Sequence, residues 1–167
     1  LFRMTPLEDS ITINAVALVD GQPQTLGLRE MLEQFVDHRR DVVRRRSEFR
    51  RQKAADRLHL VDGLLVAIVD IDEVIELIRA SDNAAEAKDR LMTVFDLTEV
   101  QATYILDMPL RRLTKFSRIE LETEADELRS SIDDLQSIVA DQDRLREVVS
   151  TELAEVNAAL ATPRRTS

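Results

Sequence analysis

Two histidines, one tyrosine and no cysteine leave this 167-residue chain few side chains that could act as nucleophile, general base or soft metal ligand. His38 and His59 stand 21 positions apart, with no other ligand type spaced around them as a metal site requires, so each reads as a packing or hydrogen-bonding residue. Tyr104 is the one possible tyrosyl nucleophile. Its setting, Gln101-Ala102-Thr103-Tyr104-Ile105-Leu106, is an apolar helix face with no adjacent cation to activate the phenol, which points to a buried or interfacial aromatic. The chain has no glycine-rich phosphate loop, no HExxH and no Cys/His cluster. Its many carboxylates fall in helical, solvated stretches. On these residues the chain carries no catalytic, cofactor-binding or metal-binding site.

Charge is the stronger signal. From Arg39 to Arg57 nine Arg/Lys stand against three Asp/Glu, and from Ile119 to Glu155 twelve Asp/Glu stand against three Arg. Nucleic-acid phosphates require local positive potential, so Arg44, Arg45 and Arg46 are the candidate DNA-facing cations despite a net charge of -9. The competing expectation is that the acidic stretch folds back on the basic one and neutralises it, placing Arg39 to Arg57 opposite about Arg129 to Glu147.

These stretches are borne on long helices. With 4% aromatics, 33% charged residues and three glycines, the composition is that of a helix-rich or coiled-coil protein. Between Leu28 and Ala80 there are 53 positions without proline and with only Gly63 as glycine, a helix of roughly 80 Å if unbroken. Leu28, Phe35, Val42 and Phe49 recur at sevens and predict its apolar seam. After Phe49 the phase slips to Val61, Leu65, Ile68, Asp72 and Ile75. Ahead of this helix, Ile11 to Val19 and Gln24 to Leu26 flank the turn signal Asp20-Gly21-Gln22-Pro23 and predict a small hairpin, too little to fold alone. Gly27 and Glu30 start the long helix. Asn83 with Glu86, Thr98 with Gln101, and Ser117 with Glu120 are capping signals for three further helices. Pro109 ends the second of these. Leu121, Leu128 and Leu135, with Ala125, Ile132 and Val139, mark the returning strand, with a break near Asp141 and a stop at Pro163.

The expected fold is mainly α: a long antiparallel coiled-coil arm with a small helical head at its tip and a short β-hairpin at the N-terminus. The expected segments are 1–26 (a remnant of a larger domain), 27–71 (ascending arm helix), 72–116 (head), 117–161 (descending arm helix) and 162–167 (tail). No apolar run approaches the roughly 20 residues needed to span a bilayer, which predicts no membrane partner and a cytoplasmic location.

Several motifs resemble a known family. Asn14-Ala15-Val16-Ala17-Leu18-Val19-Asp20-Gly21-Gln22-Pro23, His38-Arg39, Arg45-Arg46-Ser47, Arg57-Leu58-His59-Leu60, Asp70-Ile71-Asp72, Leu77-Ile78-Arg79-Ala80-Ser81, Arg112-Leu113-Thr114 and Arg164-Arg165-Thr166 occur in the order found in the A subunit of bacterial type IIA DNA topoisomerases. The resemblance covers the whole length. It implies the end of the tower region followed by the coiled-coil arm and exit gate (C-gate) of a parent enzyme, gyrase or topoisomerase IV, that passes one DNA duplex through another with ATP. It implies a homodimer contact through the head, for which the apolar candidates are Phe95, Tyr104, Ile105, Met108, Leu110 and Leu113. It also implies a B subunit holding magnesium and ATP, and double-stranded DNA passing the gate. The family's cleaving tyrosine lies in a motif that Tyr104 does not match, so the fragment itself is expected to be inactive.

One departure is local. Met108-Pro109-Leu110 and Leu113-Thr114-Lys115-Phe116 stand where many members have Met-Gln-Leu and Leu-Thr-Gly-Leu, and the Lys-Phe pair favours topoisomerase IV over gyrase. The readings from other classes are a nucleic-acid-binding helical arm and a coiled-coil spacer.

Overall fold

The computed structural model describes residues 3–5, 9–10, 12–109, 118–163 and 165. Leu110, Leu113 and the Ser117 cap lie outside the described residues. The chain divides into two units, Leu1–Val43 and Arg44–Ser167. Among the described residues the fold is mainly helical, with a two-stranded antiparallel hairpin of β1 (Val16–Val19) and β2 (Gln22–Thr25) and six helices. These are α1 (Leu28–Val69), α2 (Ile71–Arg79), α3 (Ala84–Phe95), α4 (Glu99–Asp107), α5 (Arg118–Ala140) and α6 (Gln142–Leu160).

In the first unit, Asp20 and Gly21 both take positive φ, 51° and 79°, which is the backbone a two-residue hairpin needs to follow strand twist. The register pairs Val19 with Gln22 and Val16 with Thr25. Glu30 then caps the start of α1, its carboxylate accepting from the Gly27 N–H at 2.8 Å. The residues expected at the start of the seam are not covered: Leu28 is 77% and Phe35 51% exposed.

In the second unit the seam also departs from expectation. Phe49 is 70% exposed, whereas Ser47, Val61, Leu64 and Ala67 are buried. Ser47, Arg51, Ala54, Leu58, Val61, Leu65 and Ile68 follow one another at spacings of four and three, all at least partly buried. The register of Val61, Leu65 and Ile68 therefore extends back without a slip. It does so through small or long-stemmed side chains, which a search for large apolar residues passes over.

α1 also ends sooner than its composition suggests. Asp70 leaves the helical region at φ -120° and ψ 45°, and α2 begins one residue later. Neither glycine nor proline marks this break. What favours it is tertiary packing, because Val74 of α2 is buried in the core with Leu91 of α3 and Ala67 of α1, and Ile71 packs against it. Asn83 caps α3, its side chain accepting from the Glu86 N–H at 2.9 Å. Thr98 and Gln101 form a reciprocal capping box at α4. α4 stops at Asp107, with Met108 extended ahead of Pro109 as the proline ring requires.

The returning strand is antiparallel to α1. Arg57 grips Glu124 with two bonds of 2.7 and 3.1 Å, Arg129 reaches Asp62 at 3.0 Å, Arg51 donates to Gln136, and Arg46 pairs with Glu152. The acidic stretch facing Arg46 to Arg57 thus includes residues on both sides of the expected partners. The break falls at Asp141, which is extended and whose carboxylate accepts from the Asp143 N–H at 2.8 Å. Arg144 bridges the joint to Asp134 at 3.4 Å.

One core joins these helices: Val61, Leu64 and Ala67 of α1, Val74, Leu91, Leu97, Ala102 and Ile105, and Leu121 and Ala125 of α5. Gly63 permits the closest approach within it. A Cβ at position 63 would lie 2.7 Å from Gln101 Cγ and 2.9 Å from its Cβ. Alanine normally favours a helix interior by about 1 kcal/mol over glycine. Here overpacking outweighs that gain, and Gly63→Ala is expected to lower stability by about 1–3 kcal/mol in urea unfolding, with Gln101→Ala relieving part of the loss. A stabilised Gly63→Ala variant would show that α1 and α4 are not held at this distance.

Candidate functional site

Three polar ties fix α4 in the second unit. At its N-terminus, the Gln101 side chain accepts from the Thr98 N–H at 2.9 Å and donates to the His59 carbonyl of α1 at 2.7 Å, and His59 Nε2 meets Thr98 Oγ1 at 2.7 Å. Gln101 is buried, so its amide must be satisfied by protein, and these partners do so. His59 is therefore a hydrogen-bonding residue that links α1 to the start of α4. His38 lies exposed in the first unit. At mid-helix, Arg57 donates to Tyr104 Oη at 3.3 Å. The third tie is Lys88 of α3 to Glu99 of α4 at 2.7 Å.

The cation that the local sequence around Tyr104 lacks is thus supplied from 47 positions away. Arg57 is nonetheless committed to Glu124: its pKa lies above the ordinary guanidinium value, chiefly through the Glu124 hydrogen bond, with the Tyr104 bond a smaller contributor. The arrangement holds the Tyr104 ring in place. Beside it, Leu60, Val100, Thr103 and Tyr104, with Glu99 and Asp107 at the rim, line an open groove of about 430 Å³. Among the described residues, no group of three or more His, Asp or Glu side chains is placed to hold a metal ion. No described helix is long and apolar enough to cross a membrane.

Of the candidate dimer residues, Phe95, Tyr104 and Met108 are half-buried and pack against the core. Ile105 is 1% exposed, so its side chain supports the head from inside and presents no surface. Leu110 and Leu113 fall outside the described residues. The structure adds apolar surface that sequence reasoning missed: Val66 and Val69 at the end of α1, Val94, Val100, and Ile119 at the start of α5 are all exposed. Their signal was phase, since they lie off the stripe that fills the core. Of the candidate DNA-facing arginines, Arg46 pairs with Glu152, and Arg44 and Arg45 are exposed but also partnered.

A family profile for the A subunit of DNA gyrase/topoisomerase IV matches residues 1–154. The chain belongs to this family. It is 46% identical over 166 residues to the DNA gyrase A subunit of Lawsonia intracellularis, covering 99% of this chain and 20% of that protein. It is 42% identical to those of Streptococcus pneumoniae and Staphylococcus aureus, covering 99% of this chain and 20% and 19% of theirs. The chain therefore spans about a fifth of the length of the curated relatives it matches. These relatives carry the gyrase name, and the family description joins both enzymes, so neither adds weight to the topoisomerase IV preference drawn from Lys115-Phe116.

In this family member the Lys88–Glu99 tie makes a pH signature. Glu99 titrates below the ordinary carboxylate range, first because Lys88 donates a hydrogen bond to it and then through the charge of Lys88; Lys88 titrates above its ordinary value for the same two reasons. The Glu99 contribution is present above its unfolded pKa and fades as pH falls through the lowered folded value. The Lys88 contribution is present below its unfolded pKa and fades as pH rises through the raised one. In Lys88→Ala, the Glu99 carboxyl carbon followed by NMR is expected to titrate at higher pH. An unchanged titration would mean that the pair does not form in solution.

Proposed function

We propose that this chain is the exit-gate dimerisation region of the A subunit of a type IIA DNA topoisomerase, itself non-catalytic. The observation that carries the reading is the combination of family membership with a helical head whose surface keeps Val66, Val69 and Ile119 exposed where α1 ends and α5 begins. Exposed valines and isoleucine on a head that has already buried a full core favour a protein contact. In a homodimer that contact is isologous, the same patch from each protomer. Phe95, Tyr104 and Met108 are half-buried against the same core, and Arg57 ties Tyr104 to the antiparallel helix pair.

In the whole protein the head would meet its copy and close a cavity through which the passed duplex leaves. The B subunit would supply ATP hydrolysis and the magnesium site, and the cleaving tyrosine would come from another part of the same polypeptide, all in the cytoplasm. Tyr104 takes no part in cleavage on this reading, because its hydroxyl accepts from Arg57 and its ring rests on the head core.

Light scattering of the isolated chain is expected to give a concentration-dependent dimer. Val69→Glu, at an exposed position, should shift it to monomer with helicity unchanged, since a charge near the centre of a separable interface is costly. A strict monomer at all concentrations would overturn the gate reading and favour a spacer or nucleic-acid arm. In the whole enzyme, a disulfide engineered across the two heads is expected to permit at most one strand passage. Unimpaired repeated turnover with the heads crosslinked would exclude an exit gate here. The isolated chain is expected to form no covalent DNA adduct, and an adduct abolished by Tyr104→Phe would contradict the structural role given to that residue.

A further inference from the structure

The return helix does not neutralise the basic stretch evenly. Arg46 pairs with Glu152, Arg51 with Glu48 and Arg57 with Glu124, and Arg44 and Arg45 have partners of their own. Arg50 and Lys53 are exposed and make no hydrogen bond or ion pair among the described residues. Next to them Phe49 is 70% exposed. Phe49 and Lys53 are four residues apart and neighbours on the helix surface, with Arg50 at their flank. An uncovered aromatic ring beside two uncompensated cations is the feature of this surface that the fold leaves unexplained.

We propose that Phe49, Arg50 and Lys53 form a contact site for duplex nucleic acid, with the two cations on backbone phosphates and the phenyl ring against the sugar between them. The inference rests on the reading that the whole protein acts on DNA, and it names which residues of the gate region touch the duplex. Two observations select a sugar–phosphate backbone over an acidic helix. A docked helix needs a row of apolar anchors at i, i+3, i+4 and i+7. Around Phe49 those positions, Gln52, Lys53 and Asp56, are polar, as are Arg45 and Arg46 one turn before, so the surface offers one isolated ring and no groove. Charge complementarity gives the second. In a chain of net charge -9, these two unpaired cations lie side by side on α1 and give a local positive surface that a polyanion can approach.

The test is binding of the full chain to a short fluorescent DNA duplex by anisotropy across a salt titration, with light scattering on the same samples. Each phosphate contact contributes about 0.9 to the slope of log affinity against log salt. Arg50→Gln with Lys53→Gln is expected to flatten that slope by about 1.8, the loss of two phosphate contacts. Phe49→Ala should weaken binding at every salt concentration with the slope unchanged. A double variant with the wild-type slope, or no measurable binding by the wild-type chain at low salt, overturns the proposal. So does a polyglutamate peptide that binds with the same dependence on Phe49, because the site would then recognise acidic protein. Loss of the slope in a chain that scatters as a strict monomer would uphold the contact site and reject the gate, whereas a dimer with an unaltered slope would do the reverse.

Discussion

The second unit depends on one close approach, the seating of the Gln101 side chain over Gly63. Most helix contacts tolerate small shifts because apolar side chains can repack. This one is fixed from two sides at once, by the absence of a Cβ on α1 and by an amide that must meet the His59 carbonyl and the Thr98 N–H together. A buried amide left unsatisfied costs about 1–3 kcal/mol, so small displacements of α4 along α1 lose more than packing. The capping box that starts α4 is thereby also its anchor. The Arg57 bond to Tyr104 about one turn farther along gives a second point of attachment. Two attachments on one rigid helix fix its orientation as well as its position.

The electrostatics follow a related logic. Exposed ion pairs contribute little to stability, typically well under 1 kcal/mol each. Their arrangement here sets direction and register. Arg57 meets Glu124 with two bonds near the head, and Arg46 meets Glu152 beyond the joint at Asp141, so pairs of one polarity lie on both sides of the break. The interruption at Asp141 is itself capped by its own carboxylate and bridged by Arg144 to Asp134, so the break is built into the strand with its backbone partners supplied.

Much of this was legible in the residues. The hairpin followed from the turn signal Asp20-Gly21-Gln22-Pro23, although Gln22 and Pro23 fall in β2 and the turn itself is Asp20-Gly21. The caps of α3 and α4 followed from Asn83 and Thr98, the end of α4 from Pro109 and the joint from Asp141, because each is a local rule in which a side chain or a fixed φ meets a backbone need. The seam was read incorrectly for a physical reason. Periodicity searches weight large apolar residues, but the positions facing the return strand include Ser47 and Ala54, which bury little area and carry little signal, while Phe49 faces outward. The end of α1 fell close to the expected boundary at 71, but no local residue enforces the break at Asp70; packing of Val74, and of Ile71 beside it, against the core favours it. Ile105 looked like surface for the complementary reason: an apolar residue on a short helix can face the core or a partner, and only the third dimension decides.

The same distinction separates the two surfaces of the second unit. Apolar residues on the head are uncovered after a core of ten buried residues has formed, so their exposure is a property of a finished fold rather than of incomplete packing. Arg50 and Lys53 are unpaired although acidic residues are abundant on the return strand, so their exposure is a matter of angle around α1 rather than of supply. In each case the sequence supplies the residue type and the helix geometry decides what it faces. Helices held rigidly by Gln101 and Arg57 can keep the apolar patch exposed without disturbing the basic face of α1, because the two surfaces share no residue and are joined only through helices that the core already fixes.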